Sequence, residues 1–217
     1  MNKYTVLITS LILSFTTSSA NALLIDDFTD GTMHVEVDNL GVFENATSAF
    51  GGGRTISINK QGQGAKADVI ASHGLYAHST DANTSATSKI NWSSATEIDL
   101  VENTNNNVFS LDIFSIDQGK VDFILSITDK ATHTDQYTLL DAGVGINDIY
   151  FSSFSDIDFH QITNISLQIE GGLESDLTLN SLSTERKHVS AVPTPEALVL
   201  FSSSLVILSL SRRKLNN

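Results

Sequence analysis

Period-two alternation constrains this chain more than any other feature. In "VDFILSIT" (121–128), Val121, Phe123, Leu125 and Ile127 fall on one side of an extended segment, because successive side chains of a strand point to opposite faces. "ISLQIE" (165–170) repeats the pattern with Ile165, Leu167 and Ile169, and "VFSLDIFSI" (108–116) with Phe109, Leu111 and Ile113. Further strand-like runs lie at 23–28, 32–37, 54–59, 67–71, 75–78, 86–92, 136–140, 149–152 and 177–183, bounded by Gly, Asn, Asp and Ser. No stretch between the two ends carries a sustained helical stripe, and 153–162 is expected to make one turn at most. Many short alternating strands with polar loops bury their apolar faces against a second sheet. The expected fold is therefore all-β, a two-sheet antiparallel β-sandwich.

The ends differ from the body. Lys3 supplies a small positive region, residues 4–15 are mostly apolar, and "TTSSANA" is small and polar. Ala20 and Ala22 have the spacing of a signal-peptidase site, so residues 1–22 are expected to be a signal peptide cleaved after Ala22, with Ala20 the second choice. At the other end, Ala197 to Leu210 has no charge but is diluted by Ser202, Ser203, Ser204 and Ser209. A helix over 197–211 would be about 22 Å long, short of the bilayer's hydrocarbon core of about 30 Å. Thr194 suits the N-cap, Pro195 the first helical position, and Glu196 the positive end of the helix dipole. Arg212, Arg213 and Lys214 should stay cytoplasmic, leaving the body outside. The expected order is signal peptide 1–22, sandwich 23–185, linker 186–192, sorting segment 193–214 and tail 215–217.

Pro193, Thr194, Pro195 and Glu196, then the apolar run, then Arg212, Arg213 and Lys214, resemble the three-part PEP-CTERM sorting signal of Gram-negative bacteria. The order Pro-Thr-Pro-Glu departs from Pro-Glu-Pro and is similar to the Val-Pro-x-Pro variants. The resemblance implies an exosortase-type membrane peptidase as partner, a transient stay in the inner membrane, and delivery to the cell surface or extracellular matrix. Proline lacks an N–H and disfavours helix in the residue before it, so 191–195 should stay extended where a peptidase can grip them. The alternative is a plain single-pass anchor that is never cut.

Charge and cysteine narrow the partners. Residues 23–192 hold 24 acidic and 8 basic side chains, a net charge of −16. Such a body is not expected to bind nucleic acid, which calls for basic patches. There is no cysteine, so neither disulfides nor a thiol nucleophile are available.

Five segments in order, "LLIDDFTDG", "GGGRTISIN", "KINW", "IYFSSF…DFHQITNISLQIEGG" and "DLTLNSL", resemble galactose-binding-like jelly rolls and the carbohydrate-binding modules of that fold. The resemblance implies that the first and last strands lie close together. It also implies a structural Ca²⁺ between Asp26, Asp27 and Asp30 of the early turn and Asp176 near the last strand. Calcium takes six to eight oxygen ligands, which Asp-rich turns supply; the alternative is a turn capped by its own side chains.

Extracellular polysaccharide is the expected ligand. Trp92, the one tryptophan, and Tyr76 are candidate stacking platforms, with Arg54 to orient a ligand; the competing reading makes Trp92 a core or rim residue and pairs Arg54 with a surface aspartate. His73 and His78 read as surface residues, on opposite faces if on one strand. No G-x-S-x-G or H-E-x-x-H motif occurs, so no catalytic residue is assigned and the chain is read as non-enzymatic. The alternatives are a secreted polysaccharide-acting hydrolase, needing two carboxylates about 5 to 9 Å apart, and a structural matrix protein.

Overall fold

The computed structural model describes residues 22–37, 40–47, 52–62, 64–101, 105–117 and 120–187. The expected signal peptide and the sorting segment, including Pro193, Thr194, Pro195, Glu196 and the basic cluster, lie outside them. Among the described residues thirteen strands form two sheets in which every pairing is antiparallel. The seven-stranded sheet runs β11 (Gly145–Tyr150), β8 (Val108–Asp117), β13 (Asp176–Glu185), β6 (Leu75–Thr80), β5 (Ala67–Ser72) and β2 (Met33–Val37). β1 (Leu23–Asp26) continues the lane of β6: Asp176–Leu179 pairs with β6, and Leu182–Thr184 with β1. First and last strands are therefore neighbours. The six-stranded sheet runs β10 (Thr134–Leu139), β9 (Val121–Asp129), β12 (Ile162–Gly171), β7 (Thr84–Ile98), β4 (Gly53–Gly62) and β3 (Leu40–Thr47).

The alternation read in the sequence is the packing seen here. Val121, Phe123, Leu125 and Ile127 of β9 face the core, as do Ile165, Leu167 and Ile169 of β12 and Phe109, Leu111 and Ile113 of β8. Each is at most 2% exposed, and fully burying such a side chain is worth roughly 1.5–3 kcal/mol. β3 was not among the expected strands, β7 is far longer than 86–92, and β4 begins at Gly53, one residue before the expected run 54–59, and continues to Gly62. Residues 153–162 hold the end of a 3₁₀ turn (Phe151–Ser153) and a bend that closes one end of the sandwich with rings. Phe151 stacks on Phe159 at 4.2 Å between centroids, and Phe109 and Phe154 complete the cluster. Among the described residues no helix is long and apolar enough to cross a membrane.

Candidate functional site

Three residues expected at a ligand site meet in the interior instead. Arg54 donates from Nη1 to both carboxylate oxygens of Asp26, at 3.0 and 2.8 Å, and from Nη2 to the carbonyls of Asp30 and Gly31, at 2.6 and 3.2 Å. Trp92 donates its indole N–H to Asp26 Oδ2 at 2.6 Å, and the Phe28 amide donates to Oδ1 at 2.8 Å. The guanidinium also lies 5.5 Å from the Phe28 ring centroid. Asp26, Arg54 and Trp92 are 2%, 1% and 0% exposed. Neither Trp92 nor Arg54 presents a surface to a sugar. The pairing of Arg54 with an aspartate is present, but in the core. It joins the β1 turn to β4 and β7, and so bolts the two sheets together.

The same geometry removes the expected calcium set. A guanidinium occupies the place where Asp26 and two carbonyls would hold a cation. Asp27 accepts from Thr29 Oγ1 at 2.6 Å, and that hydroxyl, working against desolvation, lowers its pKa. Asp176 stands six residues along β13 from Leu182, the partner of Asp26, roughly 20 Å away at about 3.3 Å per residue. The four aspartates do not converge.

Tyr76 is also buried, at 0% exposed. Its hydroxyl donates to Ser88 Oγ at 2.7 Å, and Ser88 Oγ lies 2.8 Å from His78 Nδ1. Among the described residues the other ring nitrogen, His78 Nε2, is buried without a hydrogen-bond partner. β6 and β7 belong to different sheets, so this chain is a second polar bolt. Burial pushes the Tyr76 phenol up and the His78 imidazole down to about 4, the Asp176 charge opposing the latter. His73 is exposed, but His78 is not the surface residue expected: it is 1% exposed.

Among the described residues the exposed rings lie elsewhere, on the outer face of β8, β11 and β13. With Phe109, Leu111 and Ile113 turned inward, Phe114 points out and is 61% exposed. On β11, Ile149 faces Phe109 in the core, so Ile146, Asp148 and Tyr150 point out; Ile146 is 64% and Tyr150 41% exposed. Tyr150 stands opposite Val108, six residues along β8 from Phe114, a separation of roughly 20 Å along the strand. Polar groups fill the interval. Asn180 donates to Asp112 Oδ2 at 3.0 Å. Ser110 Oγ lies 3.1 Å from Asp148 Oδ1 and also contacts Glu185 Oε1; with one proton it serves one carboxylate at a time. Lys187 Nζ bridges Glu185 Oε1 at 3.1 Å and Asp148 Oδ2 at 3.4 Å. Its backbone is fixed by Asn107 through reciprocal bonds of 2.9 and 3.1 Å.

Burial works to raise the Glu185 pKa, but the Ser110 hydroxyl and Lys187 ammonium outweigh it and hold the carboxyl below its ordinary range. Glu185 raises the Lys187 pKa in return. Asp27, Glu36, Glu97, Asp129, Asp135 and Glu185 are all displaced downward. Sequence reading missed Phe114, although its signal was present: it is the apolar residue out of phase with Phe109, Leu111 and Ile113.

No protein-family model and no curated protein matches the chain. Among solved structures, it is similar to the agarase AgWH50C at 12% identity and a TM-score of 0.43, over 87% of this chain and 32% of that one. It is similar to PfGH50B at 13% identity and 0.41, over 63% of this chain and 23% of that one, so it spans about a quarter of that protein. The family 11 carbohydrate-binding module of the cellulosomal cellulase Lic26A-Cel5E of Clostridium thermocellum is similar at 14% identity and 0.41, over 79% of this chain and 99% of that one. At this level the likeness decides neither ligand nor activity, which have to come from the residues.

Proposed function

We propose that the chain is an exported, non-catalytic β-sandwich that binds neutral polysaccharide along the outer face of β8, β11 and β13. The observation that carries this reading is the placing of Phe114 and Tyr150, two exposed rings roughly 20 Å apart on one strip. Asp112, Asn180, Asp148, Glu185 and Lys187 stand between them. Rings stack on the apolar faces of sugars, while fixed carboxylates, amides and ammonium groups take the hydroxyls. The strip holds three carboxylates and the body is acidic overall, so a neutral glycan is favoured over a polyanion. The depressed pKa of Glu185 keeps its carboxylate ionised, which suits a hydrogen-bond acceptor for sugar hydroxyls. The ends complete the reading: a signal peptide exports the chain, and the segment 193–214 delivers it through an exosortase-type peptidase to the cell surface or matrix.

Electrophoresis through gels containing neutral glucans, galactans or mannans, beside a polyuronate gel, tests this. Retardation in a neutral gel, with no reducing sugar released on incubation, is expected. Release of sugar that stops on Glu185→Gln replacement would establish the hydrolase instead.

A further inference from the structure

A different region of the seven-stranded sheet carries a second site. His34 and Glu36, two apart on β2, point to one face, and Asp68 on β5 stands directly opposite Glu36. Their ligand atoms lie within 4.8 Å of one another. His34 Nε2 is 2.9 Å from Asp68 Oδ1, within ion-pair distance, but among the described residues no N–H or O–H is aligned to donate to that shielded oxygen. A shielded carboxylate oxygen without a donor is one that a cation satisfies.

The sheet adds a field. Glu36 faces Asp68, Asp68 faces Ser79, Ser79 faces Asp176, and Asp176 faces Asp117. This row crosses five neighbouring strands and holds four carboxylates. Lys66 Nζ sits 2.8 Å from Glu36 Oε1 at one end of the row. A row of one sign raises the local concentration of counter-ions.

We propose that His34, Glu36 and Asp68 bind a divalent first-row transition ion. One imidazole nitrogen and two carboxylate oxygens make a borderline donor set that suits Zn²⁺ and its neighbours, whereas Mg²⁺ and Ca²⁺ prefer oxygen alone. Three protein ligands leave at least one position open for water or an external donor. The site lies on the sheet's β2 edge, opposite the edge that holds the glycan strip, and is independent of it.

Zn²⁺ titrated calorimetrically into the purified, chelator-washed chain tests the site, with thermal melts alongside. One ion per chain at micromolar affinity is expected, with a rise in melting temperature that Mg²⁺ does not produce. His34→Ala should weaken binding at least tenfold, and Asp68→Asn likewise, while His133→Ala, at an exposed histidine elsewhere, should not. The ligands are at the surface, so each variant should melt near the wild-type temperature without metal. Binding unchanged in both His34→Ala and Asp68→Asn, or no Zn²⁺ bound at millimolar concentration, would overturn the proposal. Should His34→Ala fail to fold, Asp68→Asn decides.

Discussion

Trp92 donates its indole N–H to Asp26 at 2.6 Å, 66 residues away in sequence, and that bond fixes the role of the chain's one tryptophan. With the ring fully buried and its N–H committed, Trp92 is a strut between sheets. The arginine that shares Asp26 neutralises a carboxylate that would otherwise stand charged in the core.

Removing one partner of this pair should be costly. Arg54→Met leaves Asp26 buried without its ion-pair partner and frees the carbonyls of Asp30 and Gly31. Losing one member of a buried ion pair typically costs about 3–5 kcal/mol. Urea unfolding should show a midpoint lowered to match, and Trp92→Phe, which keeps the ion pair, should cost less. A loss below about 1 kcal/mol for Arg54→Met would mean that the pair is not the bolt described.

How much of this was legible in the sequence depends on which face a residue serves. The inward faces of β8, β9 and β12 were readable because burial enforces the period of two. Arg54 and His78 were misread because a polar residue on an inward phase looks like any surface residue until its partner is known. Asp26 lies 28 residues from Arg54 and Ser88 lies 10 from His78, and only the way the fold lays one sheet on the other joins them. The calcium expectation failed for the same reason: Asp176 and Asp26 lie on adjacent strands but far apart along them. Phe114 and Ile146 could have been found as apolar residues out of phase. The His34, Glu36 and Asp68 set needed the pairing of β2 with β5.

The pH dependence of stability should carry the signature of His78. Its folded pKa, about 4, lies below the ordinary 6.5, so the fold holds the neutral form and the unfolded chain binds the proton more readily. Stability from this group is fully present above pH 6.5 and is lost as pH falls toward 4. The loss approaches about 3 kcal/mol at 1.36 kcal/mol per unit. Stability measured by urea between pH 7 and 4 should therefore fall less steeply in His78→Gln than in the wild type. Parallel slopes would show that His78 is not held neutral.

Sorting makes its own prediction from the order Pro193-Thr194-Pro195-Glu196, apolar run and basic cluster. Chain recovered from the cell surface or medium of the native host should have an intact mass lacking the residues after about 193–196. A population that runs uniformly to Asn217 would leave the plain anchor.

The central claim is that Phe114 and Tyr150 form the two ends of a glycan-binding strip. The most direct measurement is calorimetric titration of the glycan retained in the gel assay into the wild type and the Phe114→Ala/Tyr150→Ala double variant, with melting temperatures compared. Both rings are exposed, so the fold should melt within a few degrees of wild type. The account predicts affinity at least tenfold weaker in the double variant, and an intermediate loss for each single change. Equal affinity in wild type and double variant would contradict it and place the glycan on another face.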